Sequence, residues 1–306
     1  MKAEHKIDIH EELRSLIAHD LGAQLFSRMG AEQLRKVAAD IVNVDLYRFP
    51  TFVKLTAKAL NLSEDLDGFV QRHIEHLLWA HKRVAMWRCG NQASRHSLAC
   101  QTKVIGADYL MQTEGYPTIA ISPMTLPYED ALWVTRKIFA SRELIMYGED
   151  ISMGGGFDKV SEVFGLKNFH VVGAGKSAPR AILQVLNKSG VFLTYPDFVY
   201  EGHKVHRTKF MGVEWPFSSS FLSLCMRENT MLLPVFSRRS SGNCLEITFE
   251  QPVYIAEPME SSKDRIWAKH FIAATLSDIL QRLISREPAH WLLLSSLLAE
   301  CRHKGM

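Results

Sequence analysis

The hydrophobic residues of the first hundred positions recur at three- and four-residue spacing. Between positions 13 and 25 the large apolar residues are Leu13, Leu16, Ile17, Leu21 and Leu25. This spacing puts them on one face of an α-helix. The segment "SEDLDGFVQRHIEHLLWAHKRVAMW" repeats the pattern, with Ser63 as the expected N-cap and acidic residues in its first turn. Residues 1–100 are therefore predicted to form a helical N-terminal region.

From about residue 103 the pattern changes to short apolar runs that alternate with helical segments. The predicted strands include "YPTIAIS", "ELIMYG", "NFHVVGA" and "VFLTYPD". Two later runs, "MLLPVFSRR" and "CLEITFEQPV", are separated by "SSGN", which is typical of a hairpin. Strands that alternate with helices indicate an α/β fold, and the late hairpin makes its central sheet mixed. We predict one compact α/β core over residues 101–306, with helices flanking the sheet.

One strand is followed by a turn that carries paired acids. In "AISPMTLPYEDAL" the apolar run stops at a proline, and Met124 and Thr125 precede Glu129 and Asp130. Asp197 stands in a similar place, at the end of the strand in "VFLTYPD". Ligands of open α/β sheets gather at the carboxyl ends of strands, so this edge is the expected site.

His203 and His206 follow Asp197 in a segment rich in Lys and Arg, which we expect to be a polar loop. A histidine within reach of a carboxylate could serve as a general base. A solvated basic loop is the alternative interpretation of the same residues.

Two other pairs of basic residues allow both a binding and a structural interpretation. Arg238 and Arg239 close the "PVFSRR" strand and could hold a phosphate or carboxylate with bidentate geometry, or could lie at a solvated hairpin end. His73 and His76 have the i, i+3 spacing of a metal-binding pair, but no third ligand is nearby. Surface or satisfied core histidines are the favoured interpretation of that pair.

The composition excludes several classes of protein. The 306 residues are 47% hydrophobic and 23% charged. The net charge of +3 is well below the net positive charge that is typical of a DNA-binding protein. Five cysteines without a C-x-x-C pair indicate reduced thiols in a cytoplasmic protein, with no structural metal or cofactor. The longest apolar run, "WLLLSSLLA", is less than half of the ~20 residues that a membrane-spanning helix needs. We therefore expect a soluble protein with no secretory signal and, at most, peripheral membrane contact.

Five segments between about residues 60 and 300 together resemble a known family. They are "LSEDLDGFVQRHIEHL", "GYPTIAISPMTLPYEDALW", "LNKSGVFLTYPD", "TMLLPVFSRRSSGNCLEITFEQPV" and "REPAHWLLLSSL". In order and spacing they resemble segments of the bacterial lysophospholipid and lipid A late acyltransferases. The resemblance implies a glycerolipid-acyltransferase-like fold. It also implies transfer of a fatty acyl group from a carrier-protein thioester to a hydroxyl, in which a histidine takes the proton and an acid five residues later orients that histidine.

The chain departs from this pattern at the histidine. Five residues before Glu129 stands Met124, and five before Asp130 stands Thr125, and neither can act as a general base. The family's arginine after the next strand is replaced by the acidic stretch 148–150. Its N-terminal membrane anchor and several basic residues of its C-terminal element also have no counterpart. We infer that neither lipid A nor a phospholipid is the acceptor.

The sequence therefore predicts a divergent acyltransferase-like enzyme, in a specialised biosynthetic pathway, that acts on a small hydroxyl or amine. The candidate catalytic residues are Glu129, Asp130, Asp197 and His203. The candidate substrate-binding residues are Met124, Thr125, His206 and Arg239. The expected donors of the acyl or aminoacyl group are an acyl carrier protein, a coenzyme A thioester or an aminoacyl-tRNA, all of which are anionic. The alternatives are a non-catalytic relative that binds an acyl chain or carrier protein, and metal-dependent chemistry in the same pocket.

Overall fold

Helices make up the first part of the protein. The computed structural model describes residues 8–44, 65–90, 98, 101–125, 139, 141–147, 168–172, 178–198, 204–240, 244–254 and 262–293. Before the first strand these ranges contain α1 (Ile9–Ala18), α2 (Asp20–Ser27), α3 (Ala31–Asn43) and α4 (Leu66–Cys89). Ser63, the expected cap of α4, lies outside the described residues. The N-cap is Asp65, whose carboxylate accepts a hydrogen bond from the Gly68 N–H at 2.8 Å.

The second part is built on a mixed sheet of eight strands. The strands within the described residues are β1 (Thr102–Ile105), β2 (Thr118–Ile121), β3 (Leu144–Tyr147), β4 (Phe169–Val172), β5 (Val191–Thr194), β6 (Val205–Phe210), β7 (Val213–Ser218), β8 (Met231–Arg239), β9 (Leu245–Phe249) and β10 (Val253–Tyr254). The order in the sheet is β1-β9-β8-β2-β5-β3-β4, with β10 beside β8. From β8 to β4 the neighbours are parallel, whereas β9 and β10 are antiparallel to β8. The predicted α/β fold with a mixed sheet and flanking helices is confirmed.

Helices flank this sheet, and the two remaining strands lie outside it. The helices are α5 (Ala107–Met111), α6 (Ala178–Asn187), α7 (Ser219–Cys225), α8 (Ser262–Ile284) and a 3-10 turn at Pro288–His290. Strands β6 and β7 form a separate antiparallel ribbon, which packs on α8. The interpretation of the segment around His206 as a loop was wrong, because this residue pairs with Phe217 within the ribbon.

Hydrophobic packing joins the helical region to the sheet. Ile17, Leu34 and Ile74 of the first part belong to the same buried cluster as Ile119 of β2 and Phe192 of β5. All four residues of β2 and of β5 are buried, which suits central parallel strands covered on both faces. Among the described residues, none of the helices combines the length and the apolar character needed to cross a membrane.

Arg142 closes the amino-terminal edge of the central strands. Its guanidinium donates hydrogen bonds to the main-chain carbonyls of Tyr116 and Ser189 and to the hydroxyls of Thr113 and Thr118, at 2.6 to 2.9 Å. Burial lowers the pKa of Arg142 to about 10, so the side chain stays charged at neutral pH. This edge is therefore filled by structural hydrogen bonds, and the opposite, carboxyl edge is where the candidate residues lie.

Candidate functional site

A buried carboxylate joins the ends of β2 and β5. These parallel neighbours are in register up to Ile121 and Thr194, and each chain then leaves the sheet. Oδ2 of Asp197 accepts a hydrogen bond from the main-chain N–H of Met124 at 2.9 Å and a second from the indole N–H of Trp291 at 2.7 Å. The two candidate segments predicted to meet at this edge therefore do so through one side chain.

Asp197 has an unusually high affinity for a proton. Its side chain is 1% exposed, and this burial raises its pKa to about 6, although its hydrogen bonds from Met124 and Trp291 oppose the shift. Its Oδ1 atom has no hydrogen-bond partner among the described residues. A carboxyl group with such a pKa changes its protonation state close to neutral pH, as a group that exchanges protons with a substrate must do.

His76 of α4 contacts Thr125, the residue that follows Met124. Its Nε2 lies 2.8 Å from the carbonyl oxygen of Thr125. A carbonyl only accepts, so Nε2 carries the hydrogen, and in the neutral ring Nδ1 has the lone pair. Burial lowers the pKa of His76 well below its ordinary value, which keeps the ring neutral at neutral pH.

Two further histidines, His290 and His73, lie near His76. The ring of His290 stacks on it with centroids 4.0 Å apart, and burial lowers the pKa of His290 to about 3. His73 donates from Nδ1 to the carbonyl of Ala289 at 2.9 Å. The interpretation as a satisfied core histidine agrees with the contact of His73, whereas His76 is a core histidine whose Nδ1 has no hydrogen-bond partner among the described residues. Within the described ranges, no group of three or more His, Cys, Asp or Glu residues is arranged to hold a metal ion.

Arg239 connects β8 to α4 from the other side. Its guanidinium lies 2.8 Å from the carboxylate of Glu75, and the two side chains are only 13% and 14% exposed. Arg238 forms a similar pair with Glu246 of β9 at 2.7 Å. Both arginines therefore lie in ion pairs within the protein, and Arg239 adds positive charge that further lowers the pKa of His76 and His290.

The segment that follows the 3-10 turn also holds Met124. The main-chain N–H of Leu292 donates to the carbonyl of Met124 at 2.8 Å. Met124 is thus held at its N–H by Asp197 and at its carbonyl by Leu292, while its side chain is half-buried against the core. The conformation at Met124 is therefore fixed by two elements distant in sequence.

The structure brings Met124, Thr125 and Asp197 together and places His206 elsewhere. Met124, Thr125 and Asp197 lie in one cluster, to which Arg239 is connected through Glu75. His206 belongs to β6, where its ring meets His270 edge to face at 4.3 Å. Over the described residues no hydrogen bond joins His206 to Asp197, and Nε2 of His206 is buried without a partner. The remaining candidates, Glu129, Asp130 and His203, lie outside the described residues, as does the acidic stretch 148–150.

Sequence reasoning missed His76, His290 and Trp291 as parts of this site. Each lies inside a segment that carries the family resemblance, which is the signal that could have identified it. Comparison of the chain with models of known protein families, and with curated proteins, finds no match.

Proposed function

We propose that this chain is an acyltransferase-like enzyme, with a glycerolipid-acyltransferase-like fold, that transfers an acyl or aminoacyl group from an activated ester or thioester to a small hydroxyl or amine. The observation that supports the proposal is that three of the family-like segments contact Met124 and Thr125 of a fourth, while the fifth is joined to α4 beside His76. Segments that share a reaction are expected to lie together around one site.

The convergence is built from direct contacts. The α4 segment reaches Thr125 through His76, and the β5 segment reaches Met124 through Asp197. The C-terminal segment reaches Met124 through Leu292. The β8 segment reaches α4 through the ion pair of Arg239, on the helical turn that carries His76.

The proposed reaction is a simple exchange of bonds. A lone pair of the acceptor attacks the acyl carbon of the donor, the bond from that carbon to sulfur or oxygen breaks, and the proton of the acceptor passes through a base to the leaving group. An amine is a stronger nucleophile than a hydroxyl and needs less help from a base. An amine acceptor therefore suits a site without the motif histidine. Reduced thiols such as those of Cys89 and Cys225, which form no disulfide among the described residues, suit a reaction in the cytoplasm.

The test is a survey of donors with the whole protein. Acyl carrier proteins, coenzyme A thioesters and aminoacyl-tRNAs are incubated with it, and donor consumption is followed by mass spectrometry. We expect saturable turnover of at least one class, and a loss on the order of 10²-fold in Glu129→Gln or Asp130→Asn if that acid takes part in proton transfer. His203→Ala tests the remaining catalytic candidate in the same assay. If no donor is consumed faster than in buffer, the proposal fails.

A second candidate function is binding without catalysis. The specific observation that favours it is Met124, whose side chain cannot take a proton and which stands where the family resemblance expects the histidine. A protein of this kind would retain an acyl chain or a carrier protein. In the donor survey it would bind a donor reversibly and leave it intact.

A further inference from the structure

Buried polar atoms without a partner are concentrated around Met124 and Thr125. Among the described residues, six buried side-chain nitrogen or oxygen atoms lack a hydrogen-bond partner, and four of them belong to His76, His290, Thr125 and Asp197. Buried polar groups in native proteins nearly always have partners. Four such atoms on connected residues therefore indicate a place where a polar ligand or solvent is bound.

One of these atoms has the chemistry of a base. The hydrogen bond to the Thr125 carbonyl fixes the hydrogen of His76 on Nε2, so the unpartnered Nδ1 presents its lone pair. In histidine-based catalysis a hydrogen-bond acceptor on one ring nitrogen orients the other for proton transfer. The Thr125 carbonyl stands in that orienting position.

We propose that His76 is the general base of the transfer and takes over the role that the family resemblance assigns to a histidine at position 124. The inference rests on the proposed function of this site. Nδ1 of His76 takes the proton from the acceptor as its nitrogen or oxygen bonds to the acyl carbon. The same proton then passes to the sulfur or oxygen of the departing carrier, and His76 returns to its neutral form.

The location of the ring fits this role. His76 contacts Thr125, the residue immediately after position 124, although the two residues are 49 positions apart in the chain. Met124 is half-buried, whereas Thr125, His76 and Asp197 are almost fully buried, so an acceptor would approach from the side of the flexible Met124 side chain.

Burial makes His76 a weak base. Desolvation of the ring is the main cause that lowers the pKa of His76, and His290 on the 3-10 turn, His73 on the same helix and Arg239 on β8 lower it further. Such a ring is neutral at neutral pH and releases a proton quickly. It suits an amine acceptor, whose proton becomes acidic once the new bond has formed.

The experiment compares His76→Gln with His73→Gln. The glutamine amide at position 76 can still donate to the Thr125 carbonyl but offers no basic nitrogen. His73 is the matched control because it is equally buried, lies one turn earlier and also donates to a main-chain carbonyl. Both variants and the wild type are assayed with the donor that the wild type consumes best, using water or hydroxylamine as the nucleophile, with the protein-free reaction subtracted.

The ratio of the rates with water and with hydroxylamine distinguishes a general base from a structural residue. Water needs a base and hydroxylamine needs little help, so His76→Gln should lose about 10² to 10⁴-fold in hydrolysis and much less with hydroxylamine. His73→Gln should keep the wild-type ratio of the two rates. Equal losses for both nucleophiles in His76→Gln, or the same ratio change in both variants, would overturn the role of His76 and leave the proposed function intact. A wild type that consumes no donor would overturn both.

A second measurement covers the case in which His76→Gln does not fold. Nitrogen NMR of histidine-labelled wild-type protein at pH 7.5 reports which ring nitrogen carries hydrogen. We expect the His76 signals of a neutral ring protonated at Nε2. A hydrogen on Nδ1 would exclude His76 as the base.

Discussion

Oδ2 of Asp197 accepts a hydrogen bond from the main-chain N–H of Met124 at 2.9 Å. The contact spans 73 positions of the chain and joins the carboxyl ends of two parallel strands. Because the carboxyl group is buried and titrates near pH 6, its charge and the conformation of the Met124 loop are linked. The first two predictions follow from this linkage.

Trp291→Phe should destabilise the protein in a pH-dependent way. The substitution removes the indole donor that lies 2.7 Å from the Asp197 carboxylate. A hydrogen bond to a charged group contributes about 1.5–3 kcal/mol, so we expect a loss in that range at pH 8, where Asp197 is ionised, and a smaller loss at pH 5. Urea unfolding at both pH values gives the free energies.

Trp215→Phe is the control for this measurement. Its indole N–H donates to the main-chain carbonyl of the same residue, Asp197, at 3.1 Å, and the side chain is similarly buried. A carbonyl does not titrate, so Trp215→Phe should lower the free energy of unfolding by the same amount at pH 5 and pH 8. If the losses of the two tryptophan variants change with pH in the same way, Asp197 does not carry the buried charge that we describe.

Asp197→Asn should remove a pH-dependent part of the stability. Burial raises the folded-state pKa from 3.8 to about 6, so the folded state binds a proton more tightly than the unfolded state. The stability from this group is present below pH 4 and is lost as the pH rises through 6. At about 1.36 kcal/mol per pKa unit the change is about 3 kcal/mol.

The difference between wild type and Asp197→Asn isolates this contribution. His76 and His290 have lowered pKa values and destabilise the protein as the pH falls, which is the opposite direction. Their effect is common to both proteins and cancels. The wild type should lose stability relative to Asp197→Asn between pH 4 and pH 7.5, and a constant difference over that range would contradict the assignment.

Arg142→Lys should destabilise the opposite edge of the sheet. Lysine has a single ammonium group and cannot reach the carbonyls of Tyr116 and Ser189 and the hydroxyls of Thr113 and Thr118 together. We expect a loss of about 2–4 kcal/mol in the free energy of unfolding.

Arg72→Lys is the matched substitution on the surface. Arg72 is 56% exposed and lies 3.9 Å from an exposed Asp65 carboxylate, so its replacement should change stability by less than about 1 kcal/mol. Similar losses in the two arginine variants would show that Arg142 does not hold the strand ends together.

The strands of the central sheet could be predicted because continuous apolar runs are typical of strands that are buried on both faces. In β2 and β5 every residue is buried, and a proline ends or soon follows each apolar run. Strand β6 was missed because the residues of "VHRTKF" are exposed or half-buried, and only Phe210 is fully buried. Its strand conformation comes from pairing with β7 and packing on α8, which polar side chains do not reveal.

The site could be predicted only in part for a similar reason. Met124, Thr125 and Asp197 follow predicted strands, and parallel strands bring their carboxyl ends together. The approach of His290 to His76 joins positions 214 residues apart and depends on how the C-terminal turn packs on α4. No local pattern in either segment encodes that contact.

The most direct test of the central claim is the initial rate at which the wild-type protein consumes an acyl donor with hydroxylamine present. Mass spectrometry distinguishes hydroxamate from free acid and intact donor, and a protein-free reaction supplies the background. The account predicts saturable formation of hydroxamate from at least one of the three donor classes, well above background. Donors that remain intact, or that disappear no faster than in buffer, would contradict it.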